Sequence, residues 1–91
     1  MFEVVENTDE GRFELRGDGE VISVADFSES DGVVVIPHVG TNPAHRGQGM
    51  ASRLMDGVID LLRESDRLLK PLCPFAAYYM RKNPQHHDVL A

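Results

Sequence analysis

His45-Arg46-Gly47-Gln48-Gly49-Met50-Ala51-Ser52 separates two kinds of sequence. Before it stands the apolar run Val33-Val34-Val35-Ile36, short enough for a buried strand, and after it the apolar residues recur at helical spacing. A helix is predicted from Gln48 to Ser65. Met50, Leu54, Val58 and Leu61 form one apolar line and Ala51, Met55, Ile59 and Leu62 the adjacent one, while Arg53, Asp56, Asp60, Arg63 and Glu64 fall elsewhere. Gly57 interrupts this helix at a cost of about 1 kcal/mol relative to alanine, so a close packing contact is expected there. Arg67 to Leu72 reads as the next strand. A strand, helix and strand of these lengths make a right-handed crossover, which sets the two strands parallel and puts the glycine loop at their carboxyl ends.

A bare turn at a helix N-terminus suits phosphate. The N–H groups of the first turn have no partner within the helix, the macrodipole adds partial positive charge, and glycine lets the backbone approach a ligand. Arg46 supplies a full charge beside them. The same Gly-x-Gly spacing also serves a connection that only packs a helix closely on a strand, and the loop by itself leaves both readings open.

Outward from this unit, Phe2 to Glu6 and Arg12 to Arg16 read as short strands joined by the polar turn Asn7 to Gly11. Phe13 and Leu15 alternate with charged neighbours, so only one face of that sheet is expected to be buried. Gly17-Asp18-Gly19 is a hairpin signal, and Glu20 to Phe27 forms the next strand, ended by the turn Ser28 to Gly32. Val33 to Ile36 is apolar on both faces, as expected for a central strand covered on both sides. After Cys73-Pro74, a short helix from Phe75 to Lys82 ends before Pro84, and Gln85 to Ala91 add a further turn. The class is α+β: a mostly antiparallel mixed sheet, one β-α-β crossover and a short C-terminal helix, in a single domain over residues 1–91.

The 91 residues carry 42% hydrophobic content, enough for one modest core and too little for two. Net charge is −6, unevenly placed: residues 1–31 hold ten acids against Arg12 and Arg16, a net of −8, and the remainder holds five acids against seven bases, a net of +2. A phosphate-rich cofactor belongs with the second part, and the acidic first part is suited to a cationic amine. Nucleic acid is not expected, because no basic stripe with interleaved aromatics occurs. Nor is a membrane, since no apolar run approaches the roughly 20 residues of a span. Met1 to Glu6 is acidic where an export signal would be basic and then apolar, and the single Cys73 cannot form an internal disulfide, so a cytoplasmic location is expected.

Arg46, Gly49 and Ala51 match in order the acetyl-CoA pyrophosphate loop of the GCN5-related N-acetyltransferases: Gln or Arg, two residues, Gly, one residue, Gly or Ala. Downstream, Cys73-Pro74-Phe75 followed by Tyr78, Tyr79 and Asn83-Pro84, with His38 ahead of the loop, resembles the small single-domain branch of that family with a Cys-Pro-Phe/Tyr signature. The resemblance covers residues 11–90. It implies a central strand that bulges and splays from its parallel neighbour, admitting the acyl arm of the cofactor, and Pro37 sits where that break is expected. It also implies acetyl-CoA as cofactor, held by Val39, Gly40 and Thr41 past the break and by Arg46, Gly47, Gln48, Gly49, Met50, Ala51 and Ser52 of the loop.

Acetyl transfer from a thioester needs a held donor, an oxyanion stabiliser, a deprotonated nucleophile and an acid for the departing thiolate. Backbone N–H groups about Pro37 to Gly40 are the expected oxyanion donors. Cys73 is a candidate nucleophile or pocket wall, with His38 the expected neighbour to favour its thiolate. His38 is the candidate base and Tyr79 the candidate acid, each with a packing role as the alternative. One departure matters. This branch commonly shows Thr and then Glu after the histidine, whereas Val39, Gly40 and Thr41 follow here, so a carboxylate base is missing. His86 also replaces an aromatic residue. The resemblance therefore implies an acetyltransferase acting on an amine, with a non-catalytic acetyl-CoA-binding module as the alternative; no metal is expected.

Overall fold

The computed structural model of the chain describes residues 1–91. Five strands, β1 (Phe2–Asn7), β2 (Arg12–Gly17), β3 (Glu20–Ser30), β4 (Val33–Thr41) and β5 (Leu68–Pro71), lie side by side in chain order. The first three junctions are antiparallel and β4 pairs with β5 in parallel, bridged by helix α1 (Met50–Glu64). A second helix, α2 (Pro74–Lys82), follows β5, and a 3₁₀ stretch, Pro84–Val89, closes the chain.

The helical periodicity is realised: Met50, Leu54, Met55, Val58, Ile59 and Leu62 of α1 are buried. They join Phe13, Leu15, Val34, Ile36 and Leu69 of the sheet and Ala76, Tyr79 and Met80 of α2 in one core. Both helices therefore lie on one face of the sheet. That corrects the expectation of a central strand covered on both sides, since Val33 and Val35 point to the bare face and are only half-buried. On this face alternation also misleads at Glu14, which is 1% exposed although it opposes the core. Arg12 and Arg16 lie over it, with Arg12 Nε at 2.7 Å and Arg16 Nη2 at 2.6 Å, and Asn7 Nδ2 adds a third contact at 3.1 Å. Burial by itself would push this carboxyl up, but the hydrogen bonds from Arg12, Arg16 and Asn7 outweigh it and hold Glu14 below the ordinary carboxylate range.

Gly57 faces Val4 of β1. A Cβ there would come within 2.3 Å of Val4 Cγ2, which accounts for glycine in mid-helix. Arg67 fixes the start of β5 by donating to Glu6 of β1 at 2.7 Å and to Glu29 of β3 at 2.9 Å. Arg63 clamps the C-terminal turn through Asp88 at 2.7 Å, and the Ala91 N–H reaches the Leu69 carbonyl at 2.9 Å along the outer edge of β5.

Several boundaries differ from the periodicity. The helix starts at Met50 and not at Gln48, because Gly49 is left-handed (φ +74°) and cannot continue a right-handed turn. β3 runs three residues past Phe27, to Ser30. Pro37 does not end β4, which continues to Thr41.

Candidate active site

The site begins where β4 loses one neighbour and keeps the other. Its parallel pairing with β5 runs from Val33↔Leu68 to Ile36↔Pro71. The Ile36 carbonyl then accepts from both Leu72 N (3.1 Å) and Cys73 N (3.0 Å), and the two strands part. Against β3 the pairing resumes at Asp26↔His38 after a slip of one residue, so Ile36 and Pro37 occupy the interval that Phe27 spans alone. Proline has no N–H to give the ladder, so the extra residue costs little there.

The Asn42 N–H donates to the Ile22 carbonyl at 2.8 Å, which fixes the phase of the antiparallel ladder. Alternation then sends the His38 and Gly40 N–H groups to β3 and turns those of Val39 and Thr41 toward the side that β5 has left. Two backbone donors thus point into the parting, held in place by a strand that is otherwise paired.

The glycine loop closes the same end of the sheet. Asn42 Oδ1 accepts from Ala44 N at 3.0 Å, starting the 3₁₀ turn Pro43–His45, and His45 Nε2 lies 2.6 Å from Glu20 Oε1. Arg46 is extended, while Gly47 (φ +78°) and Gly49 (φ +74°) are left-handed. A side chain at either glycine would be strained by that backbone, yet a Cβ would meet nothing within 4 Å, so the space over the loop is open. No side chain caps α1 and no acid sits in its first turn, so its leading N–H groups face that space unpaired. The loop, Thr41 and Phe75 enclose a groove of about 210 Å³. A larger cavity, about 580 Å³, lies by the β2–β3 hairpin among Met1, Glu3, Arg16, Asp18 and Glu20, away from both helix N-termini.

The residues singled out from the sequence divide into those the structure brings together and those it separates. Thr41, Arg46, Gly47, Gly49, Met50, Ala51 and Ser52 line the groove, and Val39 and Gly40 precede it on β4. Gln48 belongs to the same loop and is exposed. His38 points to the bare face of the sheet, with Nδ1 3.2 Å from Asp26 Oδ2. The Cys73 thiol is instead buried in the core, at the start of α2, with no hydrogen bond to His38. The expected His38–Cys73 partnership is therefore not formed: His38 leaves β4 on the bare face, while Cys73, at the N-cap of α2, turns into the core.

Tyr79 is buried, and its hydroxyl donates to Asp56 in the middle of α1, outside the groove. Burial and then the Asp56 hydrogen bond raise its pKa well above that of an ordinary tyrosine. Its ring stacks on His86 with centroids 5.9 Å apart, so histidine still supplies a flat ring at that position. Asp26 and Phe75 were not singled out from the sequence. Phe75 stood within the Cys-Pro-Phe signature, but Asp26 depends on strand register, for which the sequence carried no signal.

The strand–loop–helix crossover thus brings an uncapped helix N-terminus and a strand edge with free N–H groups together at one end of the sheet, an arrangement suited to an anionic ligand. Residues 12–89 match the family described as GCN5-related N-acetyl-transferase, and the chain belongs to that family. Among solved structures, a GCN5-like protein from Staphylococcus aureus superposes with a TM-score of 0.73 at 22% identity, over 98% of this chain and 87% of that one. The ribosomal-protein-S18-alanine N-acetyltransferase from Escherichia coli gives 0.64 at 18% identity, over 80% of this chain and 50% of that one. At these identities the likeness carries the fold. No curated protein matches the chain by sequence.

Proposed function

We propose that this protein is an acetyl-CoA-dependent acetyltransferase that acylates an amine, in the small branch marked by Cys73-Pro74-Phe75. The observation that carries the reading is the convergence, at one end of the sheet, of the unpaired Val39 and Thr41 N–H groups with the uncapped N-terminus of α1. The residues fit the cofactor: the space over Gly47 and Gly49 is open, no acid opposes a phosphate in the first turn, and Arg46 borders the groove. Acetyl-CoA, when bound, supplies a thioester whose carbonyl carbon an amine can attack.

In this reading the N–H groups of residues 47–52 and the Arg46 guanidinium hold the pyrophosphate, and Phe75 walls the groove. Val39, Gly40 and Thr41 would flank the pantetheine arm. The Val39 N–H, turned toward the parting, would donate to the acetyl oxygen, where charge develops, and a preorganised donor of this kind contributes on the order of 3 kcal/mol. His38 accepts the proton of the attacking amine from the bare face. Cys73 acts as a wall beside the acetyl group, since its thiol is packed among apolar side chains and lacks a cationic partner. Tyr79 positions α2 against α1 through Asp56.

The acidic first part of the chain suits a cationic acceptor less than its composition suggests. Glu6, Glu14, Glu20, Asp26 and Glu29 all have partners within the fold.

Thermal unfolding with saturating acetyl-CoA, with ATP as the phosphate control, tests the cofactor. A ligand at about 100 times its dissociation constant adds roughly 2.7 kcal/mol, on the order of 10 °C or more in a domain this small. A large shift with acetyl-CoA and little with ATP is the expected result, followed by thiol release when amines are supplied. No shift with either ligand would overturn the assignment. Binding without turnover on any amine would leave a module that only binds the cofactor.

A further inference from the structure

The carboxylate missing after His38 in the sequence is supplied from the neighbouring strand. Asp26 of β3 is the register partner of His38, and its Oδ2 lies 3.2 Å from His38 Nδ1. On the other side of the ring the next residue of the same face is Gly40, where a Cβ would come within 3.1 Å of His38 Cε1. The imidazole is thus seated between a carboxylate and a glycine that leaves room for it. It remains 64% exposed, on the face of the sheet that no helix covers.

An ionised carboxylate can only accept a hydrogen bond, so the contact selects the tautomer with the proton on Nδ1 and leaves the lone pair on Nε2. We propose that Asp26 is a positioning residue that holds His38 in this tautomer, with Nε2 turned to the incoming amine. The proposal rests on the assignment of His38 as the base. As the amine nitrogen bonds to the acetyl carbon, its N–H bond breaks and the proton passes to Nε2. The imidazolium so formed is stabilised by Asp26, and it returns the proton to the departing thiolate or to solvent as the carbon–sulfur bond breaks. The other charged groups on this part of the face are Arg12, Glu14 and Lys70. Arg12 lies across from Asp26 on β2 and is held at Nε by Glu14 at 2.7 Å; Lys70 lies across from Val35 on β5, three residues before His38.

The test combines ring-nitrogen NMR of His38 in the free protein with steady-state kinetics on an amine found by screening. In the wild type the nitrogen shifts should show a protonated Nδ1 and a bare Nε2. Asp26→Asn should move most of the population to the Nε2–H form preferred by imidazole in water. It should also lower kcat at least ten-fold with the KM for acetyl-CoA unchanged, and Asp26→Glu should restore part of the loss. If Asp26→Asn left both the tautomer and kcat unchanged while His38→Gln removed turnover, the proposal would be overturned and His38 would stand as a base alone. Normal turnover by His38→Gln would instead overturn the base assignment, and the role given to Asp26 with it.

Discussion

The two halves of β4 share one partner and differ in the other. Val33 to Val35 is paired with β3 on one side and Val33 to Ile36 with β5 on the other, and this half buries Val34 and Ile36 completely. His38 to Thr41 keeps β3 and has lost β5, and none of its residues is fully buried. The first half holds the domain together. The second keeps its backbone fixed by one ladder while presenting unused donors on the other side. A loop could offer the same N–H groups, but without a ladder to aim them, and a fully paired strand would have none to offer. The Pro37 bulge and the two hydrogen bonds that the Ile36 carbonyl accepts mark the change from one condition to the other.

Substitutions in the two halves should therefore fail in different ways. Ile36→Ala, in the paired half, should cost about 3 kcal/mol from lost burial and the cavity left behind, read by denaturant unfolding. The affinity of the remaining folded protein for acetyl-CoA should be unchanged, and a parallel loss of affinity would erase the distinction. Gly49→Val, at the open end, should weaken acetyl-CoA binding by about 100-fold in calorimetry, equivalent to roughly 2.7 kcal/mol. It should cost only about 1–2 kcal/mol of stability, from a β-branched residue at φ +74°.

Two smaller effects extend the comparison away from the break. Gly57→Ala gains helix propensity but drives a methyl into Val4, and a net loss of about 1 kcal/mol is expected with binding intact. A gain in stability would show that β1 yields freely. Glu14→Gln should cost about 1 kcal/mol at neutral pH by weakening the contacts to Arg12 and Arg16. The folded pKa of Glu14 lies below its unfolded value, so its contribution is complete above the unfolded value of about 4.3 and is lost as pH falls through the folded one. The variant should accordingly show a flatter decline of melting temperature from about pH 5 downward than the wild type.

How far the molecule could be read from its sequence follows from the range of each signal. The helix, the glycine loop, the strand at Val33 to Ile36 and the crossover rest on spacings within a few residues, and all four are present, although α1 starts at Met50 and β4 runs on to Thr41. Gly57 announced a close contact, though not that Val4 makes it. Asp26 and His38 are twelve residues apart on strands whose register shifts by one at the bulge, and no local pattern encodes that offset. The burial of Glu14 likewise depends on two arginines folding back over it. The apolar run at Val33 to Ile36 suggests cover on both sides, but apolar content does not distinguish a helix above the strand from neighbouring side chains. Sheet pairing and neighbouring side chains half-bury Val33 and Val35 without a helix above them. The motif groups Cys73 with His38, but Cys73 turns into the core at the N-cap of α2 while His38 stands on the bare face.

In the proposed reading, β4 presents the Val39 and Thr41 N–H groups to the acyl arm of the cofactor. An amide NMR titration of the labelled protein with acetyl-CoA addresses it residue by residue. The expected result is large shift changes at Val39, Thr41 and residues 47–52, with Val33 to Ile36 nearly still. Saturable binding that moved residues 47–52 but left Val39 and Thr41 unperturbed would contradict the claim: the loop would then hold a ligand whose acyl arm never enters the parting of the sheet.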